Sequence, residues 1–168
     1  MPTPYPIKHP IIFLAFGLGS GLSPKAPGTA GSALSLLFFP LLVALGLWGS
    51  IGLIVVASLF GIWLCGAAAD ILKVHDHEAI VWDEFVGQWI TLLPIIATAA
   101  WNAQTLLEVM AGFILFRFFD ILKPWPISWC DHHLQGGFGI MFDDILAGFA
   151  AGGVLWLVTY NGWLVLLH

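Results

Sequence analysis

Carboxylate side chains in this 168-residue chain occur as adjacent pairs beside long apolar stretches. Asp83-Glu84 precedes one apolar run, and Asp143-Asp144 follows a glycine-rich turn at the predicted start of another. Adjacent acids at a membrane boundary repel each other, and a divalent cation would relieve that repulsion. Oxygen ligands that act together with water suit Mg²⁺. The pairs therefore indicate a Mg²⁺ site, although an acidic helix cap explains one acid at each helix start.

Two further segments offer positive charge. Arg117, Asp120 and Lys123 recur every three residues, which places them on one helical stripe. They form either a salt-bridge ladder or a site in which Asp120 meets the metal and the cations meet phosphate. Residues 19–32 are rich in glycine and serine and precede a predicted helix, whose free N–H groups favour anions. Carboxylates for a metal beside cations for an anion imply a phosphate-bearing substrate.

The glycine-rich segment also carries candidate capping and binding residues. We expect Thr29 or Ser32 to cap the helix that follows, and Lys25 to supply a full positive charge. A capped helix start without any ligand is the alternative. Asp76 and Asp83 would share one face if a single continuous helix carried both.

Composition excludes an ordinary soluble domain. Hydrophobic residues make up 60% of the chain and charged residues only 9%, with a mean hydropathy of +0.95. Soluble domains carry about 25% charged residues. The formal net charge of −5 gives a nucleic-acid partner no electrostatic footprint. These values predict an all-α polytopic membrane protein in a single domain, residues 1–168.

Apolar runs predict a compact bundle of about five membrane helices, with four to six allowed. A turn is expected at 49–52, and residues 11–16 are too short for a span, so an interfacial or re-entrant helix is expected there after an irregular tail, residues 1–10. All five Lys and Arg residues fall on one side of this arrangement, which predicts that this side faces the cytoplasm. The predicted runs are 30–48, 53–69, 85–101, 106–119 and 145–167.

Three ordered blocks of sequence resemble the phosphatidylglycerophosphatase A family of bacterial inner-membrane lipid phosphatases. They are GSGLSPKAPGTAGS at 19–32, HDHEAIVWDEFVGQWITL at 75–92, and FRFFDILKPWPISWCD with GGFGIMFDDILAG within 116–148. The resemblance implies Mg²⁺-dependent hydrolysis of phosphatidylglycerophosphate to phosphatidylglycerol and phosphate, in a multi-pass protein of the inner membrane. It places the family's acidic positions on Asp76, Asp83, Glu84, Asp120, Asp143 and Asp144, and its loop positions on Ser23, Pro24, Gly28, Thr29 and Gly31.

A working mechanism follows from the residues and the resemblance together. Asp83, Glu84, Asp143 and Asp144 are expected to bind Mg²⁺. Asp76 and Asp120 are expected to be further ligands or the general base. Phosphate is expected to meet cationic groups and loop residues, namely Lys25, Arg117, Lys123, Ser23, Gly28 and Thr29. The substrate partner is a phospholipid in the bilayer, and the oligomeric state stays open. A cation transporter that uses the same carboxylates is the competing hypothesis.

Overall fold

A computed structural model describes residues 7–74 and 77–164 of the chain. The described residues form seven α-helices and two short 3₁₀ turns, and they contain no β-strand. The all-helical fold class is therefore confirmed. The helices are α1 (Pro10–Ala15), α2 (Pro27–Ser35), α3 (Phe39–Leu72), α4 (Trp82–Ile96), α5 (Ala103–Leu122), α6 (Ile127–His133) and α7 (Gly136–Tyr160); the 3₁₀ turns are Gly17–Leu22 and Leu36–Phe38.

The first two predicted apolar runs are joined at a kink at Gly46. Gly46 has φ +67° and ψ −179°, a backbone conformation that only glycine adopts at low cost, and it interrupts α3. The Ser50 hydroxyl donates to the Leu42 carbonyl across this bend, at 2.8 Å. The turn predicted at 49–52 is therefore wrong, because those residues are helical. Pro40 lies in the first turn of α3, where its missing N–H group costs no helical hydrogen bond.

Helix α4 is the centre of the bundle and packs most closely against α7. A methyl group at Gly148 would lie 2.5 Å from the Gly87 carbonyl oxygen, so the two backbones touch. The Thr91 hydroxyl spans the same contact and donates to the Gly148 carbonyl at 3.3 Å. Gly148 and Gly152 form a seam of small residues along which α7 lies against α4.

Two predicted boundaries differ from the structure. Helix α7 begins at Gly136, well before the predicted start at Ile145, so Asp143 and Asp144 lie inside a helix. Close packing requires glycine at one position before them, because a methyl group at Gly137 would overlap the Ile62 carbonyl of α3. Residues 78–81 are not helical and α4 begins at Trp82, so no continuous helix leads from that segment to Asp83.

Two segments of the described residues are long and apolar enough to cross a membrane, Pro27–Leu72 and Gly136–Tyr160. Helix α4 has 15 residues and α5 has 20, and neither meets that criterion. Large apolar side chains cover much of the exterior, and several are more than half exposed: Leu37, Trp48, Val56, Leu59, Trp101, Ile114, Phe149 and Trp163. Such a surface suits contact with lipid rather than water.

Candidate active site

A cavity of about 390 Å³ opens at one end of the bundle. Its wall is formed where α2, α4 and α7 begin and where α5 ends. Segments that lie far apart in sequence therefore contribute side chains to one place. The lining includes these residues that the sequence singled out: Gly28, Thr29, Asp83, Glu84, Arg117, Asp120, Lys123, Asp143 and Asp144.

Three buried carboxylates converge in this cavity. Glu84, Asp120 and Asp144 each present an oxygen atom, and these atoms lie within 4.8 Å of one another. Asp144 is 3% exposed, and its Oδ2 atom has no hydrogen-bond partner within the described residues. Burying unpaired carboxylate oxygens side by side is costly. Three oxygen donors at this spacing are suited to a hard divalent cation such as Mg²⁺.

Arg117 holds two of the three carboxylates in place. Its Nη1 atom forms an ion pair with Glu84 Oε2 and another with Asp120 Oδ2, the latter at 2.8 Å. The Ser32 hydroxyl also donates to Glu84 Oε2, at 2.8 Å. Burial and the nearby Asp120 carboxylate raise the pKa of Glu84, and Arg117 opposes them. When ionised, the three acids carry more negative charge than one guanidinium offsets, which favours a cation.

Lys123 also lines the cavity and contacts two other acids. Its Nζ atom forms ion pairs with Asp143 Oδ2 and with Asp131 Oδ1, the latter at 2.6 Å. Burial acts to lower the pKa of Lys123, but Asp143 and Asp131 outweigh it and raise the pKa. Lys123 therefore stays fully charged at neutral pH. The predicted stripe is only partly confirmed, because Arg117 pairs with Asp120 whereas Lys123, after the last turn of α5, pairs elsewhere.

The start of α2 closes the cavity from the glycine-rich side. A methyl group at Gly28 would collide with the Glu84 carboxylate and lie 3.2 Å from Arg117 Nη1. Glycine at this position therefore lets the backbone lie directly against the carboxylate cluster. The N-cap of α2 is Ala26, without a side-chain hydrogen bond, so the predicted capping by Thr29 or Ser32 is wrong. Ser32 contacts Glu84 instead.

Some predicted site residues do not line the cavity. Ser23 and Lys25 are outside its lining, and Lys25 is exposed. Asp76, predicted with Asp120 to be a further ligand or the general base, lies outside the described residues. Glu78 and Asp131 line the cavity although the sequence reasoning assigned them no role. Asp131 reaches Lys123 because α6 folds back after residues 124–126, and no helical spacing signals that contact.

Fold and cavity define a class: an all-helical protein with an apolar exterior and, at one end, buried carboxylates beside fixed cations. A family model described as Phosphatidylglycerophosphatase A matches residues 13–159. The chain belongs to the phosphatidylglycerophosphatase A family, and it is an enzyme, a phosphatase. No transporter is needed to explain its carboxylates.

Curated relatives agree with the family match. The chain is 44% identical to phosphatidylglycerophosphatase A of Escherichia coli (strain K12) over 156 residues, which cover 92% of this chain and 87% of the relative. The Haemophilus influenzae (strain ATCC 51907 / DSM 11121 / KW20 / Rd) protein of the same name is 45% identical over 156 residues, which cover 92% of this chain and 91% of the relative. A protein of Bacteroides thetaiotaomicron, named as a candidate phosphatidylinositol-3-phosphatase, is 39% identical over 145 residues. The aligned residues cover 82% of this chain and 86% of that relative. No solved structure matches the chain.

Proposed function

We propose that this protein hydrolyses phosphatidylglycerophosphate to phosphatidylglycerol and phosphate, with Mg²⁺, in phospholipid synthesis. One observation supports this most strongly. Glu84, Asp120 and Asp144 converge in the cavity that Lys123 and the start of α2 also line. A phosphomonoester needs both a metal site and positive groups around its oxygens.

We assign the metal to the three converging carboxylates, Glu84, Asp120 and Asp144. The unpaired Asp144 Oδ2 and the excess negative charge of the cluster fit a divalent cation. Asp83 also lines the cavity and is retained as a further ligand. When bound, the ion supplies positive charge that polarises the phosphoryl oxygens. Arg117 fixes the geometry of Glu84 and Asp120, so its role is to position ligands rather than to bind phosphate.

Phosphate binding is assigned to Lys123 and to the first turn of α2. Lys123 is a fixed positive charge in the cavity wall, and Gly28 and Thr29 line the same cavity at the positive end of a helix. These groups neutralise charge spread over the transferring phosphoryl oxygens, which is the main task in phosphoryl transfer.

We assign the proton transfer to Asp143. Its Oδ2 atom is held by Lys123, and its Oδ1 atom is buried with no hydrogen-bond partner in the described part of the chain. Water attacks phosphorus while the bond from phosphorus to the glycerol oxygen breaks. Asp143 takes the proton from the attacking water and passes it to the glycerol oxygen, as a general base and then a general acid.

The membrane placement belongs to the same proposal: a multi-pass protein of the inner membrane with its cavity at the cytoplasmic face. The cavity end carries Lys73, Arg117 and Lys123. Trp125 and Trp129 are exposed at this end, and Trp48, Trp101 and Trp163 are exposed near the opposite end. Aromatic residues at two levels are typical of the two membrane interfaces.

The decisive experiment is release of phosphate by the purified protein in detergent. Asp144→Asn should lower kcat by about a hundredfold or more, a loss typical of removing one group that stabilises the transition state. Asp70→Asn is the matched control, because Asp70 is exposed and outside the cavity. A chelator should abolish activity, and added Mg²⁺ should restore it. Wild-type rates in Asp144→Asn, or full activity in chelator, would contradict the proposal.

A further inference from the structure

A second cavity, of about 660 Å³, lies at the other end of the bundle and has apolar walls. Two of its polar side chains, Asn102 and Thr105, form hydrogen bonds within the protein. Asn102 Oδ1 accepts from the Thr105 backbone N–H at 2.9 Å, and Thr105 Oγ1 accepts from the Ala100 N–H at 3.1 Å. The cavity is therefore suited to hydrocarbon. Its apolar lining includes Leu36, Leu37, Phe39, Trp101, Leu106, Val109 and Met110.

The two cavities share their walls. The segment that begins with α2 lines the active site at Gly28 and the apolar cavity at Leu37. Helix α5 lines the same two cavities in the reverse order along the sequence, first the apolar cavity at Met110 and then the active site at Arg117. A methyl group at Gly28 would lie 3.2 Å from Arg117 Nη1, so α2 and α5 lie next to each other. We refer to the strip of surface along which α2 and α5 meet, from Gly28 and Arg117 to Leu37 and Met110, as the groove.

The surface along this groove is apolar and open. Ala33 lies midway on α2, one turn from Thr29 and one from Leu37, and it is exposed. Ile114 lies midway on α5 between Met110 and Arg117 and is 63% exposed. From Met110 to Arg117 the helix advances about 10 Å. An extended fatty acyl chain is longer than this.

We propose that one acyl chain of the substrate lies in the groove between α2 and α5 and ends in the apolar cavity. This rests on the proposed function, in which the terminal phosphate of the same lipid occupies the active site. The groove has anion-binding groups at one end and hydrocarbon-binding walls at the other. An amphiphile with a phosphomonoester head and an apolar tail matches that polarity, and burial of its tail contributes binding free energy.

A kinetic test fills the groove with bulky side chains and compares substrates with long and short acyl chains. Met110→Trp and Ala33→Phe place bulk in the groove, away from the residues assigned to catalysis. Each should lower kcat/KM on long-chain phosphatidylglycerophosphate by about tenfold and leave kcat/KM on a water-soluble short-chain form unchanged. Val56→Trp is the matched control, because Val56 is 64% exposed on α3 and outside the two cavities. Equal losses on both substrates, or no loss on the long-chain one, would overturn the proposal.

A labelling test separates substrate from bulk lipid. Long-chain phosphatidylglycerophosphate with a photoreactive group near the chain end should label residues 106–110 or 36–40 of the wild-type protein. Phosphatidylcholine with the same chain should not concentrate there. Equal labelling by both lipids would mean that the groove holds bulk lipid and would contradict the proposal. If phosphate is released but the label lies elsewhere, the acyl-chain proposal is wrong and the proposed function stands. If no phosphate is released, the proposed function is wrong, and the position of the label still tests whether an acyl chain lies in the groove.

Discussion

Arg117 and Lys123 carry the same charge but occupy different environments. Arg117 lies between Glu84 and Asp120, and Ser32 also contacts its Nη1 atom at 3.3 Å. Lys123 is more exposed and bridges Asp143 to Asp131. A planar guanidinium can hold several oxygen atoms in fixed directions, whereas an ammonium acts as a point charge. The proposed roles, ligand positioning for Arg117 and phosphate binding for Lys123, agree with this difference.

The contact between Gly28 and Glu84 gives a prediction at the residue scale. Gly28→Ala should lower phosphatase activity by at least about tenfold, because the new methyl group displaces a carboxylate that Arg117 and Ser32 hold. Activity titrated against Mg²⁺ should show weaker apparent metal binding. Gly52→Ala is the control, since a methyl group there meets no atom within 4 Å. Unchanged metal dependence in Gly28→Ala would contradict this reasoning.

The raised pKa of Lys123 gives a prediction about pH. Because its folded-state pKa is raised, its ion pairs contribute stability that is complete below the unfolded-state pKa and is lost as pH rises through the folded-state pKa. The difference in unfolding temperature between wild type and Lys123→Gln should therefore stay constant from neutral to mildly alkaline pH. It should shrink only in strongly alkaline solution. A difference that disappears near neutral pH would show that the ion pairs are absent.

Helix packing at the element scale depends on glycine where backbones touch. Gly148→Ala should destabilise the protein by about 1–3 kcal/mol, because the methyl group meets the Gly87 carbonyl oxygen at 2.5 Å. Gly153→Ala lies in the same helix, in open space, and should be neutral or slightly stabilising. Thermal unfolding in one detergent measures both variants. Equal midpoints would mean that α4 and α7 do not pack closely.

Sidedness in the membrane is a property of the whole molecule. Trp129→Cys should react with a membrane-impermeant maleimide from the cytoplasmic side, and Trp48→Cys from the opposite side. Both positions are exposed, and the native Cys65 and Cys130 are buried. Labelling of intact and inverted vesicles measures the difference. Reaction of both variants from the same side would contradict the proposed topology.

The sequence alone determined the helical class, the acidic and basic segments and the family resemblance. Low charge and long apolar runs are properties of composition, and they do not depend on tertiary contacts. Glu84 beside Asp83 and Arg117 three residues before Asp120 were visible in the same way. The bend at Gly46 was missed because several glycines in that region offered the same local signal.

Only the tertiary structure decided which acids meet. Adjacent aspartates point in different directions on a helix, so Asp144 joins Glu84 and Asp120 while Asp143 turns to Lys123. The pairing of Lys123 with Asp131 depends on how α6 folds back, and the groove between α2 and α5 depends on which helices become neighbours. Spacing along one chain records the face of each helix, but it does not record which other helix that face will touch.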